Sequence, residues 1–209
     1  MATPYQLWSA KGSGGGIIEA AFAVAGAPVQ VIDAPPWEEG PHLEQLRQIN
    51  PLGQVPVLVL PDGTVMTESG AMVLLVGERH PETGLVPAAD DPRRPAFLRW
   101  LFFLTASFYA TFRYDDYPER WVADATAQDE LRNRIAEARK DMLRQLEAAA
   151  AAPCFLGDGM TALDLYIGMM NRWKPRTDWY AENCPKLTAI ARRIEADPRL
   201  TPIFERHFS

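Results

Sequence analysis

The sequence predicts an α/β half followed by an all-α half, and three observations carry that reading. Up to residue 83, short β-branched runs alternate with stretches of good helix formers. Residues 84–95 then hold Pro87, Pro92 and Pro95 beside Asp90 and Asp91, with Pro81 just before them, which is the composition of a linker. From residue 96 onward the strand signals vanish and apolar residues recur at helical spacing. The expected spans are therefore 1–83, 84–95 and 96–209.

Each element follows from its residues. Pro4 to Trp8 has the aromatic and apolar content of a short strand, and Ser9 to Gly16 is too glycine-rich to be anything but a loop. Ile17 to Ala25 is a run of helix formers that Gly26 and Pro28 stop. Val29 to Asp33 alternates and reads as a strand, completing a βαβ unit. The proline-rich loop 34–41 leads to a short helix, His42 to Ile49, and then to a turn, Asn50 to Gly53. Val55 to Leu60 and Thr64 to Met66 are strands joined by the hairpin turn Pro61-Asp-Gly63, and a helix runs from Ser69 to about Arg79. The order is βαβ, α, ββ, α. In the second half, Ala96 to Phe112 reads as one apolar helix with Leu98, Leu101, Phe102, Thr105 and Tyr109 on neighbouring faces. Ala127 to Ala151 is long and amphipathic, and Thr161 to Trp173 and Lys186 to Ala196 are two further helices.

Composition excludes several classes. The 209 residues are 47% apolar and 23% charged, enough for a core and unlike a disordered chain. A formal net charge of −6 argues against a nucleic-acid partner, which calls for a basic surface. No stretch approaches the ~18 apolar residues of a membrane span, and no secretory signal is visible, so a cytoplasmic location without membrane attachment is expected. Cys154 and Cys184 form no CxxC pair, and His42, His80 and His207 are scattered, so reduced thiols and no metal are expected.

Asn50-Pro-Leu-Gly-Gln-Val-Pro-Val-Leu58, followed by Thr67-Glu-Ser69, resembles the glutathione transferases. That resemblance extends over nearly the whole chain. It implies a thioredoxin-like N-terminal domain, an all-α C-terminal helical bundle and glutathione as co-substrate. Pro56 interrupts an apolar strand, where a trans proline would remove a ladder donor. The resemblance implies a cis Val55–Pro56 bond, with the Val55 main chain pairing with the cysteinyl part of glutathione. A trans proline at a sheet edge is the plain alternative. Glu68 and Ser69 open a helix, where a hydroxyl and free amides make an anion site or simply a cap. The resemblance assigns Ser69 to the γ-glutamyl carboxylate, Glu68 to its ammonium and Gln54 to the peptide backbone or glycine end. His42 is read either as a contact to the glycine carboxylate or as a solvent-facing loop residue. Phe155 to Asp164 resembles the family's folding motif, with Thr161 and Asp164 as a capping box and Met160 and Leu165 at the staple positions.

The chemistry this implies is thiol activation. A free thiol titrates near about 8.5, and a hydroxyl donor or helix N-terminus favours its anion. The family places a Ser, Tyr or Cys just after the first strand, and no cysteine stands near it here. Ser13, directly before Gly14-Gly-Gly16, is preferred over Ser9, which ends the strand; Tyr5 is read as packing. Lys11 adds charge near the sulfur or is simply solvated. The electrophile is placed between this loop and the first helix of the second half, where Phe108, Tyr109, Phe112 and Arg113 are candidates for the wall or for the core. The resemblance also implies a small hydrophobic electrophile as second substrate and a homodimer formed through residues 96–150. A glutathione-dependent disulfide reductase or peroxidase, or a non-catalytic relative, is the alternative function.

Overall fold

A computed structural model of the chain describes residues 4–209, so the first three residues of the 1–83 span lie outside it. One mixed sheet has the strand order β2-β1-β3-β4. Strands β1 (Tyr5–Ser9) and β2 (Val29–Asp33) are parallel, as a crossover through helix α1 (Gly15–Ala25) requires. Strand β3 (Val57–Val59) is antiparallel to β1, and β4 (Val65–Met66) is antiparallel to β3. Helix α2 (Pro41–Ile49) precedes β3, and α3 (Ser69–Arg79) follows β4. The two faces of the sheet follow the period of two along β1. Leu7 joins the main core with α1 and α3, whereas Trp8 packs on the other face with Leu43, Leu46 and Val57 beneath α2. This is the thioredoxin-like α/β arrangement read from the sequence.

Two boundaries differ for physical reasons. Helix α1 starts at Gly15, two residues earlier than Ile17, because glycine lets the helix lie against β1: a Cβ on Gly15 would stand 1.9 Å from the Ser9 hydroxyl. Strand β3 starts only after Pro56, which has no N–H to give to the ladder. The Val55–Pro56 peptide is cis.

The second half is all helical: α4 (Arg94–Phe102), α5 (Ala110–Asp116), α6 (Ala125–Ala149), α7 (Ala162–Met170), α8 (Thr177–Asn183), α9 (Pro185–Glu195) and α10 (Thr201–Phe208). Every residue of α7 is buried. Its start is fixed by Asp164, whose carboxylate accepts from the Thr161 and Phe155 N–H groups at 2.7 Å each and from the Thr161 hydroxyl at 3.0 Å. The short helices α8 and α10 were not among the expected elements.

The single helix expected over Ala96–Phe112 is broken. Residues Phe103–Phe108 form a π-helical segment, and the Tyr109 N–H donates to the Leu104 carbonyl five residues back at 2.8 Å. One extra residue in a turn rotates everything beyond it by about 100°. Phe102, expected near the inward faces, is consequently 59% exposed, while Leu104 and Phe108 enter the core. Nor is 84–95 a free strap. Leu85 is fully buried and its carbonyl accepts from the Ala162 N–H at 2.8 Å, so the segment joins α3 to α7.

Candidate active site

The β1–α1 loop carries the first candidate. Ser13 Oγ accepts from the N–H groups of Ala10 (3.2 Å) and Gly15 (3.1 Å). Its own proton is not given to any acceptor among the described residues, and Ser13 lines an open cleft. Ser9 is different: it is fully buried and donates to the Glu19 carboxylate at 3.0 Å, facing away from the cleft. Tyr5 packs its ring on Phe22, 5.0 Å between centroids.

This loop is held from the helical half. Gly12 has φ +71°, the left-handed region that glycine tolerates. Its N–H donates to His207 Nδ1 at 3.0 Å, and its carbonyl accepts from Trp173 Nε1 at 2.8 Å. Because Nδ1 is an acceptor, the His207 proton sits on Nε2 and is donated to Glu19 at 3.1 Å. Glu19 is buried and is also paired with Arg206 at 2.9 Å. Helix α10 therefore seats the loop that carries Ser13, a role that nothing in the sequence signalled. Next along, a Cβ on Gly14 would stand 2.5 Å from the Tyr109 hydroxyl, so the glycine admits that side chain to the loop. Burial pushes the Tyr109 phenol up to about 12, against the Gly14 N–H directed at it, and keeps it a proton donor.

The cleft has a volume of about 360 Å³, within the range of small-molecule sites. Ser13, Trp37, Leu52, Gln54 and Val55 line its α/β side, and Tyr109, Phe112, Arg113 and Trp173 its helical side. The Tyr109, Phe112 and Trp173 rings meet edge to face, with centroids 5.5–5.9 Å apart. Phe108, another wall candidate, is buried in the core instead. Behind the wall, buried Arg139 lies 4.2 Å from the Phe112 ring centroid, donates to Thr111 at 2.9 Å and pairs with Asp115 at 3.2 Å. Trp173, Lys174 and Arg176 were missed in the sequence. The available signal was the aromatic, basic and proline-containing run Trp-Lys-Pro-Arg at a helix end.

Gln54 and Val55 reach the cleft because the Asn50 side chain donates to the Gln54 carbonyl at 2.9 Å, closing the turn before them. Pro56, Glu68, Ser69 and His42 are not in the cleft lining. Ser69 opens α3, and its hydroxyl accepts from Tyr166 of α7 at 2.7 Å, leaving the Ser69 proton to donate. Glu68 is exposed and has φ +64°, a conformation that costs a non-glycine residue about 1–3 kcal/mol. His42 Nε2 lies 3.2 and 3.1 Å from the carbonyls of Pro35 and Glu38, so its ring fastens the loop bearing Trp37. Among the described residues no group of three His, Cys, Asp or Glu side chains is placed to hold a metal, and no helix is long and apolar enough to cross a membrane.

A mixed sheet with a helical half closed over its loops defines a glutathione-transferase-type protein, and comparison with known proteins agrees. Residues 18–79 match the family described as glutathione S-transferase, N-terminal domain. An uncharacterised GST-like protein of Escherichia coli K12, YncG, is 34% identical over 97% of this chain and 98% of its own length. Glutathione S-transferase GstA of Escherichia coli O157:H7 is 26% identical over 73% of each chain. The structure of a Sulfitobacter glutathione transferase homologue with bound glutathione superposes with a TM-score of 0.86, covering 97% of this chain and 98% of that one at 22% identity. The chain belongs to the glutathione S-transferase family.

Proposed function

We propose that the protein is a glutathione S-transferase that activates the glutathione thiol for attack on a small electrophile. The observation that carries this reading is the state of Ser13: two backbone N–H groups saturate its oxygen from behind, leaving its proton for a partner in the cleft. A thiolate placed there accepts that proton in a hydrogen bond, which favours the anion and lowers the thiol pKa. Val55 offers its backbone to the cysteinyl peptide beside Pro56, and Gln54 takes the glycine end. Glu68 and Ser69 hold the γ-glutamyl ammonium and carboxylate at the N-terminus of α3, where the helix end favours an anion. His42 acts through the loop that it fastens. Tyr109, Phe112 and Arg113 face the electrophile. On this reading residues 1–83 form the glutathione domain, 84–95 the connection and 96–209 the electrophile domain, in a cytoplasmic homodimer.

Calorimetric titration with reduced glutathione tests the proposal. Saturable binding is expected in the wild type and at least tenfold weaker binding in the Glu68→Ala, Ser69→Ala double variant. Ser13→Ala is expected to raise the pKa of the bound thiol, read from thiolate absorbance, with little change in affinity. Absence of wild-type binding at millimolar glutathione would sink the reading.

A further inference from the structure

Resting on that reading, we propose that the second substrate is an aromatic anion, its ring on the aromatic wall and its carboxylate or sulfonate on Arg113, Arg120 and Arg176. The charged residues lining the cleft are Arg113, Asp116, Arg120, Lys174 and Arg176, a positive excess in a chain of net charge −6. Lys174 is accounted for: its Nζ lies 3.0 Å from Asp115 and 3.9 Å from Asp116, and Asp115 also neutralises Arg139. The three arginines are not. Among the described residues, none of them has a carboxylate within ion-pair distance, unlike Arg93, Arg94, Arg139, Arg172 and Arg206, which all do.

Their settings leave them open to a ligand. The Arg120 guanidinium is stacked 4.1 Å over the Tyr117 ring, which occupies its face and leaves its N–H edge for an acceptor. Arg176 is held on a non-glycine backbone at φ +85°, and its only internal bond is a 3.2 Å donation to the Arg172 carbonyl. Arg113 makes no hydrogen bond with any described residue and shares its helix with Phe112 of the wall. All three come from the helical half, on the side that Trp173 and Phe112 present to a second substrate. A planar guanidinium fork suits a carboxylate or sulfonate. The step itself is a displacement: the thiol proton leaves to solvent, the sulfur lone pair forms the C–S bond, and the carbon–halogen bond breaks with its electron pair leaving as halide.

The test compares 4-chloro-3,5-dinitrobenzoate with its neutral methyl ester at saturating glutathione, each kcat/KM divided by the uncatalysed rate. Exposed ion pairs each contribute a few-fold, so about a tenfold preference for the carboxylate is expected at low salt, shrinking at high salt. The Arg113→Gln, Arg120→Gln, Arg176→Gln triple variant is expected to lose the preference and keep the glutathione KM. A wild-type ratio of one overturns the inference and leaves the transferase reading standing. So does a triple variant that loses glutathione affinity but not the preference, since the arginines would then serve glutathione. If neither probe is turned over, the transferase reading fails, and quenching of Trp37 and Trp173 fluorescence decides the inference alone. Tighter binding of the benzoate than the ester supports it, and equal binding overturns it.

Discussion

At the scale of single residues, the glycine run after Ser13 is explained by what crowds it. Gly14 makes room for the Tyr109 hydroxyl, Gly15 for Ser9, and Gly12 supplies a left-handed turn whose peptide is bonded at both ends. The sequence marked this stretch as a loop and pointed to Ser13. It did not disclose His207, which lies 195 residues from Gly12 along the chain. His207→Ala removes the acceptor of the Gly12 N–H and frees that peptide to move. The Gly12 amide is expected to exchange with solvent at least 100-fold faster, and the bound thiol pKa to shift upward as in Ser13→Ala. His207→Asn, whose side-chain oxygen can accept the same N–H, should restore part of both. Unchanged exchange in His207→Ala would refute the clamp.

At the scale of elements, the π-helical segment between α4 and α5 decides the cleft wall. Helical spacing identified the apolar character of Ala96 to Phe112, but a continuous α-helix would present different faces. The inserted residue turns Tyr109 and Phe112 toward the cleft and leaves Phe102 outside. Arg139 of α6 then supports α5 from behind, through Thr111, Asp115 and the Phe112 ring. Truncation to Arg139→Ala deprives buried Asp115 of one partner and opens space beneath Phe112. A loss of about 3 kcal/mol in urea unfolding is expected, together with a raised KM for the second substrate. Stability within about 0.5 kcal/mol of wild type would show that Lys174 alone compensates Asp115.

At the scale of the whole molecule, burial makes several acids hard to ionise. The Tyr109 phenol is pushed up to about 12 and the Cys184 thiol to about 11, in both cases chiefly by desolvation. Their ordinary values are 10.0 and 9.0, so below pH 9 both groups are protonated in the folded and the unfolded chain alike. Between about pH 9 and 12 the unfolded chain releases protons that the fold retains. Stability therefore falls as pH rises through that window, and the urea midpoint is expected to drop steadily across it. Cys154 and Cys184 are both free and buried. At pH 8 a thiol-reactive dye should label neither until denaturant is added, and prompt labelling would contradict the packing.

Local chemistry is what the sequence by itself determined. Period-two and helical patterning, glycine and proline punctuation, and the Asn50–Leu58, Glu68–Ser69 and Thr161–Asp164 motifs specify short-range conformation, which neighbouring residues control. The α/β half, the all-α half and Ser13 were legible for that reason. The tertiary structure alone decided which distant groups meet. The π-helical segment rotates the wall, α10 brings His207 to Gly12, and the turn after α7 brings Trp173 and Arg176 to the cleft. These contacts depend on long-range packing of elements whose own sequences carry no record of their partners, so only the folded chain displays the cleft's arginines and the clamp on its loop.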